Sequence, residues 1–318
     1  MRSKAERTVQ VRNALLASVF SLVIAASAAF AAGYVLKLDV LYSVLVFAIV
    51  FALTLAALIF VWKETDLIRK KLYLLYCVKH PAKSRQFYCA CCNRTLTGFV
   101  DLGYSKDSER FDPKRFMTQK QDVICPFCYS APRQRIQAVW LEENMDAIKD
   151  SKILCFAPEY SLMKWFRRNG VKVTTADLFD SRVDLKLDIT NIDLPDESYD
   201  LVICNHVLEH VSSYEKALSE LNRILVDNGL LIVSFPLDAG LDTVFEQETC
   251  TPEDRIRVFG HVDHVRIFGR DSAEIIASFG FDVQTMNISV MPENILPVVG
   301  PADYDSNQIF ICHKIISG

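Results

Sequence analysis

The chain has no surplus of basic residues. Its 35 lysines and arginines stand against 39 acids, for a net charge of −4 over 318 residues. That balance excludes a protein that holds nucleic acid by overall charge. No G-x-G-x-x-G occurs, so the close backbone approach to a pyrophosphate that a nicotinamide dinucleotide fold needs is missing. There is no internal repeat and no low-complexity tract. The length leaves room for about two soluble domains, or one with accessories.

Charge is missing altogether from two stretches, residues 14–36 and 40–62. Each is long enough as helix, roughly 35 Å, to cross a hydrocarbon core of about 30 Å. Only Lys37-Leu38-Asp39 separates them, so they are expected to form a transmembrane hairpin with both ends on one side. Arg2, Lys4, Arg7 and Arg12 precede the hairpin, and Lys63, Arg69, Lys70 and Lys71 follow it. Basic flanks face the cytoplasm. The expectation is a multi-pass protein of the cell (inner) membrane, with its N-terminus and main domain cytoplasmic and the bilayer as a partner. A signal peptide would have a shorter apolar region and no second span at once behind it.

A cytoplasmic setting keeps thiols reduced, so the ten cysteines are not read as disulfides. Cys155, Cys204 and Cys312 lie in apolar strand-like runs and read as core. Cys89-Ala90-Cys91-Cys92 and Cys125-Pro126-Phe127-Cys128 form two C-x-x-C pairs in a polar, loop-rich stretch. Four thiolates from two tight turns make a closed tetrahedral zinc shell, with no position left for water. Cys89, Cys92, Cys125 and Cys128 are the expected ligands of a structural zinc, with Cys91 able to replace one of the first pair.

From residue 152 the pattern alternates between strands and helices. Strands are expected at 152–157, 171–176, 183–188, 199–205 and 230–236, and later at 281–290 and 308–315. Helices are expected from residue 132, at 160–169, at 213–226 and at 272–279. Residues 237–270 read as a long insertion. The whole is an α/β chain with a doubly wound, Rossmann-like, seven-stranded sheet. Its ligand belongs outside the carboxyl ends of the strands.

The residues at those ends carry a resemblance. Ala157-Pro158-Glu159 follows the first strand, Asp177 ends the second, and Asp188-Ile189-Thr190 follows. Asp196, Ser198, Asp200 and Asn205-His206-Val207-Leu208-Glu209-His210-Val211 complete the run. This run resembles the class I S-adenosylmethionine-dependent methyltransferases, in particular a type 11-like branch with an N-terminal zinc ribbon. The likeness spans roughly residues 87–285 and does not include the membrane hairpin. It implies S-adenosylmethionine as cofactor, with Asp177 on the ribose diol and Asp188 with the Ile189 amide on the adenine. Ala157 and Glu159 fall at the methionine end, and Asn205 and His206 face the sulfonium and the acceptor. The loop after the first strand departs from the common glycine-rich form.

Two further pieces match the same branch. Arg133 and Arg135 fit an R-x-R that either recognises an acidic group on the substrate or bridges the ribbon and the core. Phe259 to Gly269 fits an element that lies over the active site. There His264 with Asp263 is the favoured base, with His206 as the other candidate. Arg266 either orients an acidic substrate or pins the loop. Glu209 and His210 read as structural.

The expected organisation is a membrane anchor over residues 1–75, a zinc-ribbon module over 76–140 and the methyltransferase domain over 141–318. The methyl acceptor is a small or lipid-linked molecule, such as an envelope glycan precursor, accepting on oxygen or nitrogen. No nucleic acid is expected, because the N/D-P-P-Y/F motif of base methylation is absent after the fourth strand. A non-catalytic, cofactor-binding scaffold is the alternative. Oligomeric state is not legible.

Overall fold

A computed structural model describes residues 87–96, 98–100, 123–238, 240–247, 251–286 and 308–316, together with Ala48 and Ile49. Apart from those last two, the expected membrane spans 14–36 and 40–62 lie outside the described residues. Among the described residues no helix is long and apolar enough to cross a membrane.

Strands β1 (Phe87–Cys89) and β2 (Arg94–Leu96) pair antiparallel around a turn in which Asn93 takes φ 53, a conformation asparagine tolerates better than most residues. Helix α1 (Pro132–Glu143) starts on a proline. It stops where the Asn144 amide and backbone N–H both donate to the Trp140 carbonyl. The single helix expected from residue 132 is therefore two pieces, α1 and the short α2 (Met145–Ile148).

The main sheet begins with β3 (Ile153–Phe156), β4 (Val173–Asp177), β5 (Leu185–Lys186) and β6 (Tyr199–Asn205). Helix α3 (Tyr160–Asn169) connects β3 to β4 and ends at Gly170, whose φ of 70 favours glycine. Helix α4 (Tyr214–Ile224) is capped by Ser213, which accepts from the Lys216 N–H. It runs straight into β7 (Leu225–Ser234). Tyr199 pairs with Leu225 and Leu201 with Leu230, so Asp227-Asn228-Gly229 bulges out of one strand. A Cβ at Gly229 would stand 2.6 Å from the Val226 carbonyl, which forbids any other residue there.

The insertion contains β8 (Phe245–Glu246), α5 (Pro252–Phe259) and β9 (Arg266–Ile267), the two strands pairing antiparallel. Helix α6 (Ser272–Ser278), β10 (Phe281–Met286) and β11 (Ile309–Lys314) complete the order. The seven strands lie as β10-β11-β7-β6-β3-β4-β5. Pairings from β5 through β7 are parallel, and β11 runs antiparallel to both its neighbours. This is the mostly parallel, Rossmann-like sheet expected from the alternation.

Alternate residues of each strand feed the two faces. Ile153, Cys155, Leu201, Ile203, Ile232 and Ile311 pack with α1, α3 and the β1–β2 hairpin. Leu154, Phe156, Val202, Cys204, Val233, Phe310 and Cys312 pack with α4 and α6. Each fully buried large side chain contributes about 1.5–3 kcal/mol. Cys155, Cys204 and Cys312 are free and buried. The described cysteine-bearing residues and the α/β residues belong to one compact unit. Arg168 of α3 ties them, donating to the Ala90 and Cys91 carbonyls at 3.0–3.2 Å.

Candidate functional site

Strand order reverses between β3 and β6, and a crevice opens beyond their carboxyl ends. Both strands leave the sheet through a left-handed residue that is not glycine, Ala157 at φ 46 and His206 at φ 52. Each such residue costs about 1–2 kcal/mol. Sheet hydrogen bonds hold both in place: Ala157 N–H donates to Ala176 at 2.9 Å and His206 N–H to Ser234 at 2.7 Å. The chain thus turns sharply aside at two neighbouring strand ends and leaves a cavity of about 570 Å³. That volume suits a nucleoside-sized ligand.

Two acids face this cavity from successive strand ends. Asp177 Oδ1 accepts from the Phe179 and Asp180 N–H groups at 2.7 and 2.9 Å. Asp188 Oδ1 accepts from the Thr190 N–H and hydroxyl, both at 2.8 Å. Among the described residues, Oδ2 of each receives no hydrogen bond, so each carboxylate is fixed by one oxygen and offers the other. Phe156, Leu178, Leu187, Ile189 and Val207 supply apolar wall, and Phe179 stands 89% exposed beside them. A flat heterocycle with a polar sugar edge matches this lining. His206, His210, Ser212 and Asp263 line the other end.

Glu159 and Asn205 are placed differently from the expectation. The Glu159 carboxylate ion-pairs with Arg133 at 2.7 Å and accepts from Gln134, both at the start of α1. Asn205 is buried, donating to Gln137 at 2.7 Å and accepting from the Ser234 hydroxyl at 2.8 Å. Both side chains hold β3, β6 and α1 together. A free Glu159 charge facing a cofactor ammonium is not what is observed, because Arg133 already neutralises it. Arg133 and Arg135 also separate. The Arg135 guanidinium is wholly buried, 4.0 Å over the Phe99 ring, and donates to the Ser130 carbonyl. An arginine enclosed there does not reach an acceptor.

The expected Asp263–His264 pair does not form. Asp263 stands 4.0 Å from the His261 ring. His264 bonds the Phe259 carbonyl through Nδ1 at 2.9 Å, and its Nε2 lies 4.0 Å from Glu209. Burial pushes the His264 imidazole down to about 4. His206 Nδ1 is 3.1 Å from the same Glu209 oxygen. Burial, with Arg133 nearby, holds His206 well below the usual imidazole range. Glu209 is fully buried, and burial raises its pKa. Arg266 is likewise turned away from the cavity. Its guanidinium donates to the Leu208 and Val211 carbonyls at 2.6 Å, to the Ser212 carbonyl at 3.3 Å and to Glu246. It pins the turn after β6.

Glu209 and His210, read as structural from the sequence, stand at the centre of this end. Their spacing from His206 was visible, but the convergence with His261 and His264 was not. Away from the cavity, Cys89, Cys92, Cys125 and Cys128 bring their sulfurs within 4.8 Å of one another, all buried. Cys91 points instead to the Gln134 carbonyl at 3.3 Å.

The fold is a mostly parallel, Rossmann-like sheet with two acids at successive strand ends over one cavity. Residues 149–233 match the family model described as a methyltransferase domain. That segment is a methyltransferase domain, in keeping with the resemblance. No curated protein sequence matches the chain. Solved structures with similar folds include a Burkholderia thailandensis 1,6-didemethyltoxoflavin-N1-methyltransferase with bound 1,6-didemethyltoxoflavin and S-adenosylhomocysteine. It is 15% identical over 58% of this chain and 79% of its own, with a TM-score of 0.38. An S-adenosylmethionine-dependent methyltransferase from Mesorhizobium loti is 14% identical over 56% and 97%, at 0.39. Another, from Archaeoglobus fulgidus, is 13% identical over 57% and 94%, at 0.38. These likenesses are too distant to carry residue roles.

Proposed function

We propose that this protein is a membrane-anchored methyltransferase that moves a methyl group from S-adenosylmethionine to an oxygen or nitrogen of an acceptor at the bilayer surface. The observation that carries the reading is the pair Asp177 and Asp188, each fixed through Oδ1 and open at Oδ2 over one cavity. A carboxylate oxygen accepts strong hydrogen bonds from a diol or an exocyclic amine. Asp177 takes the ribose hydroxyls. Asp188, with Ile189, takes the adenine edge. Ala157 lets the backbone approach the amino-acid end, and Glu159 acts there through Arg133.

When bound, S-adenosylmethionine supplies an already activated methyl group. The protein's part is alignment and exclusion of water. His206 is one of two imidazoles lining the cavity, with Nδ1 turned to Glu209, and is the group best placed to take a proton from the acceptor. The acceptor is lipid-linked or an envelope glycan precursor, because the uncharged stretches 14–36 and 40–62 would hold the domain at a cytoplasmic membrane face.

The ribbon holds a structural zinc on Cys89, Cys92, Cys125 and Cys128. Zinc–sulfur bonds of about 2.3 Å set tetrahedral edges near 3.8 Å, and two of the sulfur pairs stand at 3.6 and 3.8 Å. Arg135 supports the same reading. Two of its guanidinium nitrogens have no hydrogen-bond partner among the described residues. A buried cation needs an anion, and a zinc tetrathiolate beside it carries a double negative charge.

Calorimetric titration of S-adenosylmethionine into the full-length protein tests the reading. Micromolar binding lost in Asp177→Ala is the expected outcome. No binding by the folded wild type would refute it. The engaged Glu159 favours one rival, a cofactor-binding scaffold, which would bind S-adenosylmethionine yet methylate none of the lipid-linked acceptors offered.

A further inference from the structure

Three histidines meet at the acceptor end of the cavity. The ring nitrogens of His210, His261 and His264 lie within 4.8 Å of one another. Their ring centroids stand 4.7, 4.9 and 5.8 Å apart. Beneath them is Glu209, fully buried. Its carboxylate oxygens make no hydrogen bond among the described residues, although His206 Nδ1 stands 3.1 Å from one of them. A buried carboxylate without a donor costs several kcal/mol unless a cation accompanies it.

We propose that His210, His261 and His264 bind a divalent transition-metal ion at the edge of the cavity, with Glu209 as the carboxylate that balances its charge. The orientation of two rings favours this. His264 Nδ1 faces the Phe259 carbonyl at 2.9 Å, and His210 Nδ1 faces the Asp263 carbonyl at 3.3 Å. A histidine that donates from one nitrogen to a carbonyl presents the other as a lone pair, the usual arrangement of a metal ligand. Both Nε2 atoms lie 4.0 Å from the same Glu209 oxygen, so both point to one place. His261 is half-exposed on the outer side, where an ion would enter. It accepts from the Asp263 N–H at 3.2 Å and would exchange that bond for the ion.

The two turns that supply these ligands are joined. The Val265 N–H donates to the Glu209 carbonyl at 3.0 Å, and Arg266 grips Leu208 and Val211. The cluster therefore sits on rigid backbone between the end of β6 and the insertion. Nitrogen and carboxylate donors without thiolate suit zinc, nickel or ferrous iron. His210 and Asp263 also line the cavity, so an acceptor oxygen reaches the site.

The role of such an ion rests on the methyltransferase reading, whereas the ligand set does not. An acceptor hydroxyl bound there is more acidic, since a divalent cation stabilises the oxyanion. Its proton leaves to His206 and its oxygen forms the bond to the methyl carbon. The carbon–sulfur electron pair returns to sulfur, which becomes a thioether.

Cobalt(II) titration of the full-length protein, followed by visible absorption, separates the two metal sites. Cobalt on thiolates gives charge-transfer bands, and cobalt on histidines gives ligand-field bands alone. The expected result is one equivalent of the second kind. It is lost in His261→Ala and in His210→Ala and kept in Cys125→Ser. If the wild type takes up only thiolate-bound cobalt, or if both histidine variants bind like wild type, the inference is overturned. His261 is half-exposed, so its variant keeps the fold, and circular dichroism checks this. S-adenosylmethionine titrated into the same samples keeps the two failures apart. A wild type that binds the cofactor but shows no histidine-type cobalt loses only the metal.

Discussion

Ala157 stands where glycine would be the unstrained choice. At φ 46 its Cβ is crowded, yet the position ends β3 directly over the cavity. The left-handed turn is what the absent glycine loop would have provided, and a single methyl group is small enough to take it. A β-branched side chain is not. Ala157→Val is expected to cost about 2 kcal/mol or more in urea denaturation, while Ala157→Gly stays within about 1 kcal/mol of wild type. Equal effects from the two would mean that the turn carries no strain. At the same scale, adjacency in the chain misleads. Asp263 and His264 look like a pair on paper, but consecutive residues in such a turn face different ways. The acid that reaches His264 is Glu209, more than fifty positions earlier.

Among elements, α4 is joined to the loop before β6 by one side chain. Arg223 donates to the Ile192 and Leu194 carbonyls at 2.8 Å, ion-pairs with Glu220 at 2.8 Å and reaches Asp196 at 2.6 Å. Arg223 and the Ile192 N–H hold the Glu220 carboxyl below its ordinary value. A depressed carboxylate contributes stability that is complete above the unfolded pKa, near 4.3. The contribution is lost as pH falls through the folded value. Wild type should therefore exceed Glu220→Gln by about 1 kcal/mol at pH 6, a modest figure for a group near the surface. The gap should close towards pH 3 in urea midpoints, and a gap unchanged with pH would refute the assignment.

Elements with apolar runs were legible in the sequence. β3, β6 and α3 lie within a residue or so of their expected bounds because both faces of the strands are buried and Gly170 stops the helix. Helix α5 was not read, although Thr251-Pro252-Glu253-Asp254 is a helix start. The Thr251 side chain accepts from the Asp254 N–H, but only Val258 and Phe259 of that helix are buried, too few to show a period. Asp227-Asn228-Gly229 is a turn signal in the sequence. That both its flanks belong to one strand depends on β6, which no local signal reports. The acids of the site were legible by resemblance, and the histidine cluster was not, since it is made by the insertion folding back onto the end of β6.

Across the molecule, the ribbon and the sheet share one interior. Cys89, Cys91, Cys125 and Cys128 belong to the same buried cluster as Ile153, Trp165 and Ile203. Metal removal should therefore be felt by the whole unit. If the four cysteines hold the proposed zinc, stripping it with a chelator, or Cys125→Ser, should lower the melting temperature by roughly 10 °C in scanning calorimetry. One transition should move as a whole. A small separate transition for the ribbon, with the main peak unshifted, would show two independent cores.

That shared interior bears on how such a protein can be inherited or engineered. Ribbons and methyltransferase folds look like interchangeable parts, and recombination would be expected to trade them at the helix between. Here Arg168 reaches across to Ala90 and Cys91, and Trp165 has ribbon cysteines in its own cluster. A crossover inside α1 would leave each half with an unmatched greasy surface. The cysteine-bearing segment can drift only in step with α3, so a graft of this α/β domain onto another protein has to carry residues from 87 onward.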